Sequence, residues 1–126
     1  MKFAQDRPDE GYVITSYEHD RVTINGKVFS QSLIIAGKQL HDSWDICSIA
    51  SLQQQHIDQI LSFSPELVII GTGSRLVFPA VESYAAVIKQ GIGVEFMDTG
   101  AACRTYNILL GEGRDVVAGL IFEGPD

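Results

Sequence analysis

Val94-Glu95-Phe96-Met97-Asp98-Thr99-Gly100-Ala101-Ala102-Cys103-Arg104-Thr105-Tyr106-Asn107-Ile108-Leu109-Leu110 is the stretch that decides the fold. Its first four residues read as a strand, and Asp98-Thr99-Gly100 then turns the chain. Ala102, Cys103, Tyr106, Leu109 and Leu110 line one side of a helix from about Ala101 to Leu110, and Gly111 and Gly113 stop it. Upstream, Leu67-Val68-Ile69-Ile70 is an all-apolar run, as expected of a strand covered on both faces. Gly71-Thr72-Gly73-Ser74-Arg75 follows as a loop. Pro79 opens a second helix, because its missing N–H costs nothing in a first turn. Val81, Tyr84, Ala85 and Ile88 form its apolar face, with Val77 just ahead, and Gly91 ends it. Val116 to Phe122 is a final strand. Strand–helix–strand–helix order implies a parallel pair joined by right-handed crossovers.

The N-terminal part has a different texture. Tyr12 to Tyr17 is rich in β-branched and aromatic residues, and Arg21-Val22-Thr23-Ile24 alternates polar and apolar. Asn25-Gly26 supplies the positive-φ residues of a two-residue hairpin turn, and Lys27-Val28-Phe29-Ser30 returns. Ser32 to Ala36 is a more buried strand stopped by Gly37. Ser51-Leu52-Gln53-Gln54 reads as a capping box, followed by Ile49, Leu52, His56 and Ile60 at helical spacing, and Pro65 closes that helix. The expectation is an α/β fold: one three-layer domain over residues 1–126, with a mixed β-sheet and helices on one face. The N-terminal antiparallel strands form a second layer or an extension. Residues 1–10 read as a flexible N-terminal segment.

Composition narrows the function classes. The 126 residues hold 9 Lys+Arg against 16 Asp+Glu, a net charge of −7. So few cations speak against a nucleic-acid partner, whose phosphates must be neutralised, and against an electrostatic hold on anionic lipid. No run approaches the ~18 apolar residues of a membrane span. The N-terminus lacks the apolar core of a secretory signal, and its acidic residues do not fit a mitochondrial transit peptide. The cytoplasm is the expected compartment. Cys47 and Cys103 form no CxxC, and His19, His41 and His56 have no ligand spacing, so neither a metal nor a cofactor is expected.

The loop after a strand in an α/β unit lies at the strand's carboxyl end, where open sheets bind ligands. Gly71–Arg75 and Asp98–Arg104 are two such loops. If their strands are neighbours, both open onto one crevice that also holds a helix N-terminus. Arg75 and Arg104 place two of the nine cations there, which suits a small anion. In the plainer reading, the arginines pair with Glu95, Asp98 or solvent, and the glycines only permit turns. Gly71-Thr72-Gly73 is not a dinucleotide fingerprint, because Leu76 stands where the third glycine belongs. Cys103, near a helix start and beside Arg104, is a candidate reactive thiol, with His41 or His56 as a base that folding could deliver. It is equally a core residue. Asp98 is either a general base or a helix cap.

Met97-Asp98-Thr99-Gly100-Ala101-Ala102-Cys103-Arg104-Thr105-Tyr106-Asn107-Ile108-Leu109, with Glu112-Gly113-Arg114 after it, resembles the signature block of a small uncharacterised domain family. That family includes the mitochondrial complex I assembly factor 3 and the adipogenesis-associated domain protein, with many short bacterial members. Gly71-Thr72-Gly73 between Pro65 and Pro79 fits the same pattern, and the likeness covers residues 10–123. It implies a compact β/α domain and a non-enzymatic role exerted through protein contacts. The positions that match are Gly71, Thr72, Gly73, Asp98, Thr99, Thr105, Tyr106 and Asn107. With Arg75 and Arg104 they make the candidate ligand-binding set. The first expectation is therefore a binding or assembly module with a protein partner. The alternative is a small anion-binding protein or small enzyme using the crevice. A homo-oligomer is compatible with either, since open sheet edges invite pairing.

Overall fold

The structure, a computed structural model, describes residues 11–123; the segment 1–10 lies outside the described residues. A three-stranded antiparallel sheet comes first: β1 (Ile14–Glu18), β2 (Arg21–Ile24) and β3 (Lys27–Phe29), in that order. Asn25 and Gly26 have φ of 48° and 87°, the left-handed pair that a primed hairpin turn requires.

The second sheet has five strands in the order β5-β4-β8-β6-β7. These are β4 (Leu33–Ala36), β5 (Gln39–His41), β6 (Leu67–Gly71), β7 (Gly93–Met97) and β8 (Val116–Leu120). β6 runs parallel to both β7 and β8, and β4 runs antiparallel to β8 and β5. β5 was not foreseen; three residues are too few to show an alternation. The helices are α1 (Gln54–Leu61), α2 (Ala85–Lys89) and α3 (Thr99–Gly111).

The five-stranded sheet is the middle layer, and its side chains divide strictly by parity. Leu33, Ile35, Ile69, Val116, Ala118 and Leu120 pack with Ile14, Val22 and Ile24 of the small sheet and with Ala102, Cys103 and Tyr106 of α3. Ile34, Val68, Ile70, Val117 and Ile121 pack on the other side, with Trp44, Ile57 and Ile60, and with Val87 of α2. Both faces are dry, which is why β4, β6 and β8 read as apolar runs without alternation. Gly119 exists for this packing: a Cβ there would sit 2.7 Å from the Trp44 ring.

The mixed α/β class and the second sheet layer stand as expected. The placement of the helices differs, since α1 and α2 cover one face while α3 lies with the small sheet on the other. Topology gives the reason. From β6 the chain moves outward to β7; from β7 it returns past β6 to β8. Two right-handed crossovers running in opposite directions must lie on opposite faces.

Two helix starts also shift. Ile49–Ser51 is a separate 3₁₀ turn whose cap, Ser48, accepts from the Ala50 N–H, and α1 begins only at Gln54. Val81–Tyr84 is likewise a 3₁₀ turn leading into α2. Winding three residues per turn, it rotates the face expected of a single helix. Val81 and Ile88 are therefore exposed, and Val87 is the buried residue of α2. Among the described residues no helix is long and apolar enough to cross a membrane.

Candidate functional site

β6 and β7 are paired neighbours, so the loops after them meet at the carboxyl edge of the sheet. Their connections leave to opposite faces, which makes this the switch point where open α/β sheets form a crevice. Gly71, Thr72, Gly73, Asp98 and Thr99 all gather there. Their polar atoms are bonded to one another. The Thr72 N–H donates to the Met97 carbonyl at 2.8 Å, and the Thr99 N–H donates to the Gly73 carbonyl at 2.8 Å. The Thr99 hydroxyl accepts from the Gly73 N–H and donates to the Ile121 carbonyl, both at 2.8 Å. One buried hydroxyl thus ties the ends of β6, α3 and β8 together.

Each neighbouring group is similarly engaged. Thr72 Oγ1 donates to the Arg75 carbonyl and accepts from the Val77 N–H at 3.1 Å, closing the 72–77 loop on itself. Asp98 caps α3, accepting from the Ala101 N–H at 2.8 Å. Glu123 accepts from the Ser74 hydroxyl at 3.2 Å and stands against Gly73, so a carboxylate of this chain sits at the mouth of the first loop. Gly71 has no room for a side chain: a Cβ would lie 2.9 Å from Thr99 Cα. Tyr17 closes the second loop, its ring 2.9 Å from where a Gly100 Cβ would be.

Arg75 and Arg104 are exposed, and neither makes an ion pair among the described residues. Arg104 belongs to the field around Tyr17, whose hydroxyl is raised above its ordinary range by burial first, then by Cys103, Asp98 and Glu123.

Thr105, Tyr106 and Asn107 fall elsewhere. At ~1.5 Å of rise per residue, Tyr106 lies about 12 Å along α3 from Asp98. Its buried hydroxyl accepts from the Gly37 N–H at 3.1 Å and donates to the Tyr12 carbonyl at 2.8 Å. Asn107 accepts from the Ile14 N–H at 3.0 Å and donates to the Ile14 carbonyl at 2.6 Å, pairing with β1 as a strand would. Asn107 thus binds α3 to β1, and Tyr106 binds it to the residue two before β1 and to the turn after β4.

Cys103, the candidate thiol, falls on the core reading of that position. It is buried in the core, and desolvation pushes its thiol up to about 12 despite Arg104. Burial and the raised thiol both favour the protonated, less nucleophilic form. Neither His41 nor His56 reaches it. His56 packs on the α1 face, accepting from the Gln53 N–H at 3.0 Å and bridging to the Asp45 carbonyl at 2.9 Å. His41 lies opposite Ile34, which faces the same side. Cys103 is on the other side of the sheet. Among the described residues no three His, Cys, Asp or Glu side chains are grouped to hold a metal.

Sequence reasoning missed Glu123 and Tyr17 at the crevice. Neither adjoins the loops in sequence, and neither lies in a motif.

Fold and site together define a small α/β domain whose polar signature residues serve as internal ties. The model of a family described as "Protein of unknown function (DUF498/DUF598)" matches residues 14–121, and the chain belongs to that family. It is 36% identical over 117 residues to a 13 kDa major membrane protein of Francisella tularensis, covering 92% of this chain and 95% of that one. It is 31% identical over 124 residues to the rat NADH dehydrogenase [ubiquinone] 1 alpha subcomplex assembly factor 3, covering 96% of this chain but 66% of the relative. A crystal structure of a Bordetella parapertussis protein superposes with a TM-score of 0.85 at 33% identity, covering 90% of this chain and 97% of that one.

Proposed function

We propose that this chain is a non-enzymatic binding or assembly module, acting through contacts with a protein partner. The observation that carries this reading is the employment of the signature residues. Asp98, Thr99, Tyr106 and Asn107 all direct their polar atoms at this chain's own backbone. A block spent on holding α3 to the two sheets supplies a shape and leaves no nucleophile–base pair within it to react. The relative named as an assembly factor supports the same reading. In-cell crosslinking of the tagged chain, followed by identification of the products, tests it. A specific heterologous protein is expected; its absence across crosslinker lengths would sink the proposal. The compartment assigned with this role is the cytoplasm, and recovery of the chain in the membrane pellet would move it.

The switch-point position favours a second reading, a small anion held between Gly71–Arg75 and Asp98–Arg104. A phosphate- or carboxylate-bearing metabolite should then raise the melting temperature, and Arg75→Ala with Arg104→Ala should abolish the rise. Indifference to an entire metabolite panel rejects it.

A further inference from the structure

Leu76, Val77, Phe78, Val81 and Ile88 all belong to the β6–β7 connection and stay exposed; Phe78 is 70% exposed and the other four between 37% and 51%. Scattered apolar side chains need no explanation, but Leu76, Val77 and Phe78 are consecutive, Val81 follows three residues on, and Phe78 and Ile88 line one hollow. The Phe78 ring packs edge-on against Phe96 at 6.3 Å, and Phe96 packs against Tyr84 at 4.8 Å. Phe78, Tyr84, Ile88, Val94, Glu95 and Phe96 line a hollow of about 530 Å³. The hollow therefore runs onto β7, which among the described residues pairs on one side only.

The charges around the patch say what covers it. Leu76-Val77-Phe78-Pro79-Ala80-Val81 carries no charge, and it is bracketed by Arg75 and Glu82. Both are exposed, and neither is in an ion pair among the described residues. A run with a cation at one end and an anion at the other is its own complement under two-fold rotation. With the axis beside Phe78 and Pro79, Leu76 meets Val81 of the second copy, and Arg75 meets its Glu82, twice over. A partner of one sign would satisfy only one end. A membrane surface is disfavoured by the net charge of −7.

We infer that this surface is a homodimer interface, in which two copies apply the Leu76–Val81 run to each other antiparallel and exchange Arg75–Glu82 ion pairs. The inference does not rest on the assembly-module reading. So few side chains make a small interface, at the low end of specific ones, so the dimer is weak and reversible.

Sedimentation velocity of the purified full chain from about 5 to about 500 µM tests it, because association in this range corresponds to weak interfaces. A concentration-dependent dimer is expected, and Phe78→Asp abolishes it with the far-UV spectrum and melting curve of a folded monomer. Arg75→Glu alone and Glu82→Arg alone should each weaken the dimer about tenfold, since each turns two attractions into repulsions. The double reversal, Arg75→Glu with Glu82→Arg, should restore it to within about threefold. A monomer throughout, a dimer indifferent to Phe78→Asp, or a double variant no better than the singles would each overturn the inference. So would a monomer that floats with phosphatidylcholine vesicles through Phe78. A self-dimer without a heterologous crosslink in cells leaves this inference standing and removes the assembly proposal; a monomer with such a crosslink does the reverse.

Discussion

Two connections leave the neighbouring strands β6 and β7, and they are built in opposite ways. The β7–β8 connection carries α3, thirteen residues long, with Ala102, Cys103 and Tyr106 buried and its polar side chains bonded to β1, Gly37, Gly73 and Ile121. The β6–β7 connection carries a 3₁₀ turn and a five-residue α2, buries Val87, and leaves Leu76, Phe78, Val81 and Ile88 in water. The β6–β7 connection is the richer in apolar residues, yet of these it fully buries only Val87, whereas α3 buries Ala102, Cys103 and Tyr106 and leaves Ile108 exposed. The first connection holds the domain together, and the second presents a surface.

If that contrast is right, the same kinds of substitution have unequal effects on the two sides. Tyr106→Ala is expected to cost most, about 3–5 kcal/mol of unfolding free energy measured by urea titration. It empties a fully buried ring position and strands the Gly37 N–H and Tyr12 carbonyl. A loss under about 1 kcal/mol would mean α3 is not the tie described.

Gly71→Ala comes next, at about 1–3 kcal/mol, because the obstacle is the backbone of Thr99, which cannot swing aside. Thr99→Val removes the hydroxyl without changing the shape much. It leaves the buried Gly73 N–H unpaired, for a further case of about 1–3 kcal/mol on the same assay.

Cys103 reports on the same face through pH. Its thiol is raised in the folded protein from 9.0 to about 12, so the unfolded chain releases the proton first. Stability is therefore full below about pH 9 and falls above it, on the order of 1 kcal/mol for the first pH unit. Cys103→Ala should flatten that limb, although the packing loss lowers the whole curve. A thiol-reactive dye should count one thiol, the exposed Cys47, in native protein and two in denaturant.

The smallest effect is expected on the other connection. Ile88→Ser should change stability by no more than about 0.5 kcal/mol, measured at a dilution that keeps the chain monomeric. A cost like that of Tyr106→Ala would show that α2 also serves the core.

Much of the fold was legible because its periods are local. Asn25-Gly26, the all-apolar Leu67–Ile70 and the Asp98 cap each declare themselves within a few residues, and the structure places them as read. The candidate site was legible in part. Sequence put Gly71–Gly73 and Asp98–Thr99 beside each other, since both follow strands of one parallel pair. It could not show that Thr99 and Glu123 fill the crevice, because Ile121 and Glu123 reach it from the end of β8. Tyr106 and Asn107 share a block with Asp98, yet the helix carries them to the N-terminal strands.

By itself the sequence determined the α/β class, a parallel pair with crossovers and a net negative charge, since strand and helix periods and charge need no partner to be read. Tertiary structure decided which apolar residues are core. Val81 and Val87 are chemically identical, and Val87 is buried while Val81 is exposed. Both lie in the β6–β7 connection, and what separates them is the 3₁₀ turn ahead of α2, whose tighter winding turns Val81 outward while α2 lays Val87 against the sheet.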